Sequence, residues 1–410
     1  MELSEKDWQD ILRKDGISAV VAKKRELDNK WRTIRVLIAV IGQTGSGKST
    51  LIGRMLGYSP DDPRSPTVRE GVKVGTKEAA EYTKKDSGLI YIDLPGVAST
   101  TKTCDISTTE QMQAYAECHR LEKMDYFILV SQNKFNSEEK QLAAYITRVL
   151  KKNYVFVQTK MDLLRGEHKH KVLENKNGFV AVKNLIRAQI QSGLGCSTTD
   201  RIFLIANNTC EMKSKGQQHW VYEQSSDYEF DGLMNKILKD MSGESGLAAS
   251  KENAFLFATG ATSRSAIHAT ANSLRNQRWG WSTLSGMIGA VPIPGVSLTC
   301  DSAIVLKVAS EYFRTFGLDP ASYITGDNPV ERLKSLVDVM RAGMGARAAA
   351  LLTTVVSASL FEEGIKSIPA IGVIVGTAVG ATTSFASTSV ILYHLVDFCE
   401  QEALKMMQTN

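Results

Sequence analysis

Short apolar runs punctuate the first two-thirds of the chain. RVLIAVIG (35–42), LIYID (89–93), DYFILVS (125–131), YVFVQT (154–159) and RIFLIA (201–206) are each rich in β-branched and aromatic residues. Longer segments of mixed polar and apolar periodicity separate most of them. Strand-length runs alternating with helix-length segments predict a mainly parallel sheet with helices on both faces. Ligands of such sheets bind at the carboxyl ends of the strands. Ahead of the first strand, Trp8, Ile11, Leu12, Ile17, Val20, Val21 and Leu27 keep rough helical spacing, with Ser4 and Asp7 as an acidic start and Gly16 as a break.

Four segments follow: N-terminal helices over 1–34, an α/β domain over 35–241, a small polar linker SGESGLAAS (242–250), and a C-terminal helical part over 251–410. The last part changes composition. Between Ala348 and Val396 the only Asp, Glu, Lys or Arg residues are Glu362, Glu363 and Lys366. VPIPGVSL (291–298) and SIPAIGVIV (367–375) echo each other weakly, too little for a repeat architecture.

At 410 residues, 43% hydrophobic and 23% charged, the chain is globular in composition. A net charge of +5 with 7% aromatics gives no case for nucleic-acid binding. Six scattered cysteines without a CxxC suggest neither a disulfide framework nor a zinc site, and fit a reducing, cytoplasmic setting. The charged first residues are not a secretory signal. Glu2 excludes N-myristoylation. His168 and His170 are too small a set for a metal site, and Trp279 and Trp281 read as packing residues.

The chemistry begins at the end of the first run. Gly42 to Ser49, GQTGSGKS, fits GxxxxGK[ST] between a strand and a helix. Gly42, Gly45 and Gly47 let successive N–H groups turn inward around phosphate oxygens. Ser46 and Thr50 belong to the same cradle. Lys48 supplies a point charge to the β- and γ-phosphates and is the candidate catalytic cation, while the Ser49 hydroxyl suits Mg²⁺. The helix that follows presents its positive end to the same anion.

Asp93-Leu94-Pro95-Gly96 closes LIYID. Its carboxylate is placed for Mg²⁺, and the Gly96 N–H for a γ-phosphate. Thr159-Lys160-Met161-Asp162 closes YVFVQ. A carboxylate there accepts the N1–H and exocyclic N2–H donors of guanine, a pair adenine lacks, and the Lys160 stem can lie along the base. Ala206-Asn207 sits where a backbone N–H would meet guanine O6. In this order, at the ends of successive strands, the motifs select GTP and GDP over ATP. Among Thr67, Thr76 and Thr83, Thr76 best suits closure over Mg²⁺ and the γ-phosphate, being 17 residues before Asp93 and just ahead of an expected edge strand. The residue after Gly96, where many small GTPases place a water-orienting Gln, is Val97. Valine cannot hydrogen-bond to water through its side chain. Intrinsic hydrolysis is therefore expected to be slow unless Ser99, Thr100, a backbone carbonyl or a second molecule aims the water. Arg64 and Arg69 are candidates to act across such a contact, although ordinary loop arginines look the same.

As an ordered set these motifs resemble the immunity-related GTPases, the interferon-inducible p47-type family. The likeness runs through VIGQTGSGKSTLIGRMLG, IDLPGVAST, MDYFILVSQNKFN, KKNYVFVQTKMD, RIFLIANN and DGLMNKILKDM, and more loosely through IPGVSLTCDSAIV, YFRTFGLD and YHLVDFCEQEALK. The resemblance implies a Ras-like G domain clasped by an all-α domain made from N- and C-terminal segments. It implies GTP-dependent homo-oligomers through the G domains, cooperative hydrolysis, and peripheral action at intracellular membranes in cell-autonomous defence. Lys48 matches the family's catalytically competent branch rather than its methionine-bearing one. The glutamate that some members carry before the switch-one threonine is absent from KVGT, where Val74 and Gly75 stand.

The stretch 367–396 runs thirty residues without an Asp, Glu, Lys or Arg, long enough for a ~30 Å hydrocarbon core. Gly372, Gly376 and Gly380 would allow close helix packing. Many Ser and Thr, the early Pro369 and the lack of basic flanks on both sides favour a buried core segment or a tightly packed helical hairpin outside the bilayer. Membrane insertion is the alternative.

Overall fold

The computed structural model describes residues 34–60, 62–66, 79–84, 87–95, 106, 108–132, 137–167, 178–195, 199–207, 209–214, 217–222, 227–242, 246–289, 296–343 and 374–409, with scattered helical positions between 7 and 26. Contacts divide the chain into an α/β unit, 31–266 with 407–410, and a helical unit, 1–30 with 267–406.

The α/β unit holds a six-stranded sheet of order β2-β3-β1-β4-β5-β6. The strands are β1 (Val36–Gly42), β2 (Ala80–Thr83), β3 (Leu89–Asp93), β4 (Tyr126–Ser131), β5 (Asn153–Gln158) and β6 (Ile202–Leu204). Every pairing is parallel except β2 with β3. The fold is thus a Ras-like α/β sheet, as the pattern predicts. Its helices are α1 (Lys48–Leu56), α2 (Thr109–Cys118), α3 (Ser137–Arg148), α4 (Met161–Glu167), α5 (Gly178–Leu194), α6 (Phe230–Met241) and α7 (Gly246–Thr259).

Strand side chains alternate between two cores. Ile38, Val40, Leu89, Tyr91, Ile128 and Val157 join α1, α6 and α7 on one face. Ala39, Ile41, Ile90, Ile92, Leu129 and Phe156 join α2, α3 and α5 on the other. Burial on both faces explains why each strand reads as an unbroken apolar run. The Asp125 carboxylate ties the start of β4 to β1 and α7, accepting from Leu37 N–H (2.8 Å) and from Lys251 Nζ of α7 (2.6 Å).

Two elements depart from the sequence reading. The linker expected over 242–250 is partly helix, because α7 begins at Gly246. Buried Ala254, Phe255 and Ala258 bring α7 into the α/β core, so the unit extends to residue 266. A separate antiparallel ribbon, β7 (Thr209–Ser214) with β8 (Gln217–Tyr222), follows the last sheet strand.

The helical unit contains α8 (Arg264–Gly289) from Ile267 onward, α9 (Val296–Thr315), α10 (Pro329–Gly343) and most of α11 (Ile374–Thr409). Small polar residues join α8 to α11. The Ser285 hydroxyl lies 2.8 Å from Thr388 Oγ1 and 3.0 Å from the Ser384 carbonyl, and all three residues are buried. Arg275 of α8 bridges Asp397 and Glu400 of α11. From Ile374 on, the apolar stretch is a single helix that continues to Thr409. Residues 367–373, with Pro369 and Gly372, lie outside the described residues. Among the described residues no helix is long and apolar enough to cross a membrane. Trp281 is buried, with Lys24 Nζ 5.4 Å from its ring centroid, while His168, His170 and the Trp279 side chain lie outside the description.

Candidate nucleotide site

The carboxyl ends of β1, β3, β5 and β6 bring four motif segments together. At its last residue β1 lies so close to β4 that a Cβ on Gly42 would stand 1.9 Å from the Val130 carbonyl oxygen. Only glycine fits. Gly45 and Gly47 hold left-handed φ of 79° and 86°. Gly47 is the N-cap of α1, so the helix starts at Lys48 with no acidic residue in its first turn to compete for its positive end. The Ser46 hydroxyl is buried and makes no hydrogen bond. A buried unsatisfied hydroxyl beside a turn of glycines fits an oxygen-rich anion.

Lys48 Nζ is 3.1 Å from the carbonyl oxygens of both Gly42 and Gln43, which accept from it. Burial pushes this ammonium below its ordinary value, and the Asp93 carboxylate offsets part of that shift. The Ser49 hydroxyl donates to Asp93 Oδ2 at 2.7 Å, and Asp93 is 1% exposed. A hydroxyl and a buried carboxylate so close are hard oxygen donors of the kind Mg²⁺ takes alongside phosphate oxygens. The donor set fits the ion. Thr50 presents its carbonyl to the Tyr222 hydroxyl at 3.4 Å.

On the other side, Thr159 Oγ1 is 2.6 Å from the Ser46 carbonyl and 3.0 Å from the Ser131 carbonyl. Lys160 adopts φ 56°, an uncommon left-handed geometry for lysine that turns the chain from β5 into α4. Asp162 then stands in the first turn of α4. Ile205 ties this segment to the end of β6. Its N–H donates to Gln158 O (2.8 Å), and its carbonyl accepts from Met161 N–H (3.1 Å). Ala206 and Asn207 follow immediately. Glu229 anchors the neighbouring strand, accepting from Leu204 N–H and from Arg187, with Nη2 2.6 Å from each carboxylate oxygen.

Of the predicted site residues, Gly42, Gly45, Ser46, Gly47, Lys48, Ser49, Thr50, Asp93, Thr159, Lys160, Asp162, Ala206 and Asn207 lie at these strand ends. Thr76 and Gly96 lie outside the described residues, as do Thr67, Arg69, Val97, Ser99 and Thr100. Thr83 is engaged elsewhere, donating to the Leu89 carbonyl at 2.7 Å. Arg64 pairs with Asp62 at 2.7 Å and leans on the Tyr58 ring. Sequence reasoning passed over Arg54, a buried arginine whose Nη1 donates to Ala206 O at 2.7 Å and to Asn207 Oδ1 at 3.2 Å.

Sheet order, phosphate loop and paired guanine-type segments define a P-loop protein of the G-domain class. The model of the Interferon-inducible GTPase (IIGP) family matches residues 4–409, and the chain belongs to that family. It is 28% identical over 311 residues to Interferon-inducible GTPase 5 of Bos taurus, covering 75% of this chain and 59% of that one. The Rattus norvegicus protein of the same name gives 28% identity, with 75% and 60% covered. Interferon-gamma-inducible GTPase 10 of Mus musculus is 23% identical over 377 residues, 90% of this chain and 80% of that one. The alignments thus span about 60% of the length of the Bos taurus and Rattus norvegicus relatives.

Proposed function

We propose that the protein binds GTP and GDP with Mg²⁺ and hydrolyses GTP, slowly alone and faster when copies associate through their α/β units. The observation that carries the binding reading is the meeting of Ser49–Asp93 and Thr159–Ser46 contacts around one glycine loop. It supports phosphate and metal binding beside the Thr159–Asp162 segment that this reading assigns to the base.

In this reading the loop N–H groups and Lys48 hold the β- and γ-phosphates, and Ser49 and Asp93 hold Mg²⁺. The ion, when bound, neutralises charge that builds on the phosphates. Asp162 accepts from guanine, and the family likeness assigns Thr76 and Gly96 to the γ-phosphate. Lys48 is confined in a buried site where its charge is poorly solvated, so phosphate oxygens are better partners than the two carbonyls it now meets. Val97 supports the self-association part, because its side chain cannot aim a water. Peripheral action at intracellular membranes and a place in interferon-linked defence rest on the family likeness and the relatives' names.

Light scattering run alongside phosphate release separates the outcomes. Assembly triggered by GTP that dissolves as phosphate appears, with specific activity rising with protein concentration, supports the reading. Specific activity flat across a hundredfold dilution sinks the self-association. A GTP-bound monomer with negligible turnover identifies a binding switch instead.

A further inference from the structure

We propose that Arg54 is a positioning residue for guanine recognition, fixing the Ala206-Asn207 peptide that faces the base O6. The inference rests on the guanine-site reading above.

Arg54 belongs to the last turn of α1, the helix that begins at Lys48. It is 5% exposed. Its guanidinium carbon lies 4.0 Å from the Phe230 ring centroid and 5.6 Å from that of Tyr222. A guanidinium is costly to bury without partners, and a cation at a helix C-terminus can remain in water. Here the group is instead stacked between rings and aimed at another segment. Nη1 reaches the Ala206 carbonyl at 2.7 Å and Asn207 Oδ1 at 3.2 Å.

The consequence follows from peptide geometry. The Ala206 carbonyl and the Asn207 N–H share one plane and point in opposite directions. Holding the carbonyl therefore aims the N–H. Ile205 is already fixed to the 158–161 segment through its own N–H and carbonyl. Arg54 fixes the next peptide from the opposite side, through the phosphate helix. The two halves of the site are thereby joined mechanically, and the O6 donor is set before nucleotide arrives.

Calorimetric titration of GDP and of 2-aminopurine riboside diphosphate, which carries hydrogen in place of O6 and also lacks the N1–H, a second change common to all three proteins, tests the assignment in wild type, Arg54→Met and Arg54→Lys. The expected result is a loss of roughly tenfold in GDP affinity for Arg54→Met, with the analogue changed less than about twofold. Arg54→Lys should recover part of the loss. Equal losses for both nucleotides would show a merely structural arginine and overturn the proposal. If Arg54→Met fails to fold, by thermal unfolding without nucleotide, Arg54→Lys carries the same comparison. It must lose more affinity for GDP than for the analogue, and equal losses again overturn the proposal. A wild type that binds both nucleotides equally would instead overturn the guanine reading, and the inference with it.

Discussion

The Thr159 hydroxyl stands 2.6 Å from the Ser46 carbonyl, joining the base-recognition segment to the phosphate loop across 113 positions of sequence. A hydroxyl has one proton, and the shorter contact takes it, leaving the Ser131 carbonyl to the Thr159 N–H at 2.8 Å. Both groups are buried. Thr159→Val keeps the shape and removes the donor. It should cost about 1–3 kcal/mol of stability, the usual penalty for an orphaned buried acceptor, and weaken GDP and GTP alike. Chemical unfolding with and without GDP checks both effects, and a variant as stable as wild type would contradict them.

Lys48 yields a prediction with a definite sign. Its folded pKa is lowered, so the unfolded chain binds its proton more readily. The destabilisation is fully present below the folded value and is relieved as pH rises from there to the ordinary 10.5. Without nucleotide, Lys48→Met should therefore be at least as stable as wild type near neutrality. That advantage should fade as the pH approaches 10.5. The same variant should lose nucleotide binding by at least about a hundredfold, from the loss of a charged phosphate contact in a desolvated site. Unfolding curves over a pH series read the first effect, and titration the second.

Ser49 and Asp93 should act through the metal. Ser49→Ala removes one of two oxygen donors 2.7 Å apart. GTP affinity should then become nearly insensitive to whether Mg²⁺ or a chelator is present, while wild type binds several-fold more tightly with Mg²⁺. Equal Mg²⁺ dependence in both proteins would contradict the placement.

Phe255 tests where the α/β unit ends. A phenylalanine on an exposed helix face would cost little to remove, but Phe255 is 1% exposed within the core of α1, α6 and α7. Phe255→Ala should destabilise this unit by about 3–5 kcal/mol. A change under about 0.5 kcal/mol would contradict the place of α7 in this core, since surface substitutions fall in that range.

Most of this site could be read from the sequence because its parts are local. A phosphate loop needs glycines at fixed spacing, and a buried parallel strand needs an apolar run, so Gly42, Gly47 and the five strands announced themselves. The helix α7 did not, because its start at Gly246-Leu247-Ala248-Ala249-Ser250 is mostly small residues and resembles a linker. Its role rests on Phe255 meeting strands far away in the chain. The β7–β8 ribbon escaped notice because TCEMKS and QQHWVY lack clean alternation, although Lys215-Gly216 between them is a turn signal. Arg54 was invisible for a different reason. In the sequence it is one cation on a helix, and only its distance to Ala206 gives it a role.

The central claim is that Asp162 makes this a guanine site. Titration of wild type and Asp162→Asn with GDP, ADP and xanthosine diphosphate tests it most directly. Wild type should prefer GDP over ADP by at least about a hundredfold, the worth of two hydrogen bonds to a charged acceptor. Asp162→Asn should lose GDP and gain the xanthine nucleotide, whose carbonyl at ring position 2 accepts from the new amide. A wild type that binds ADP as well as GDP, or a variant with unchanged preference, would contradict the account.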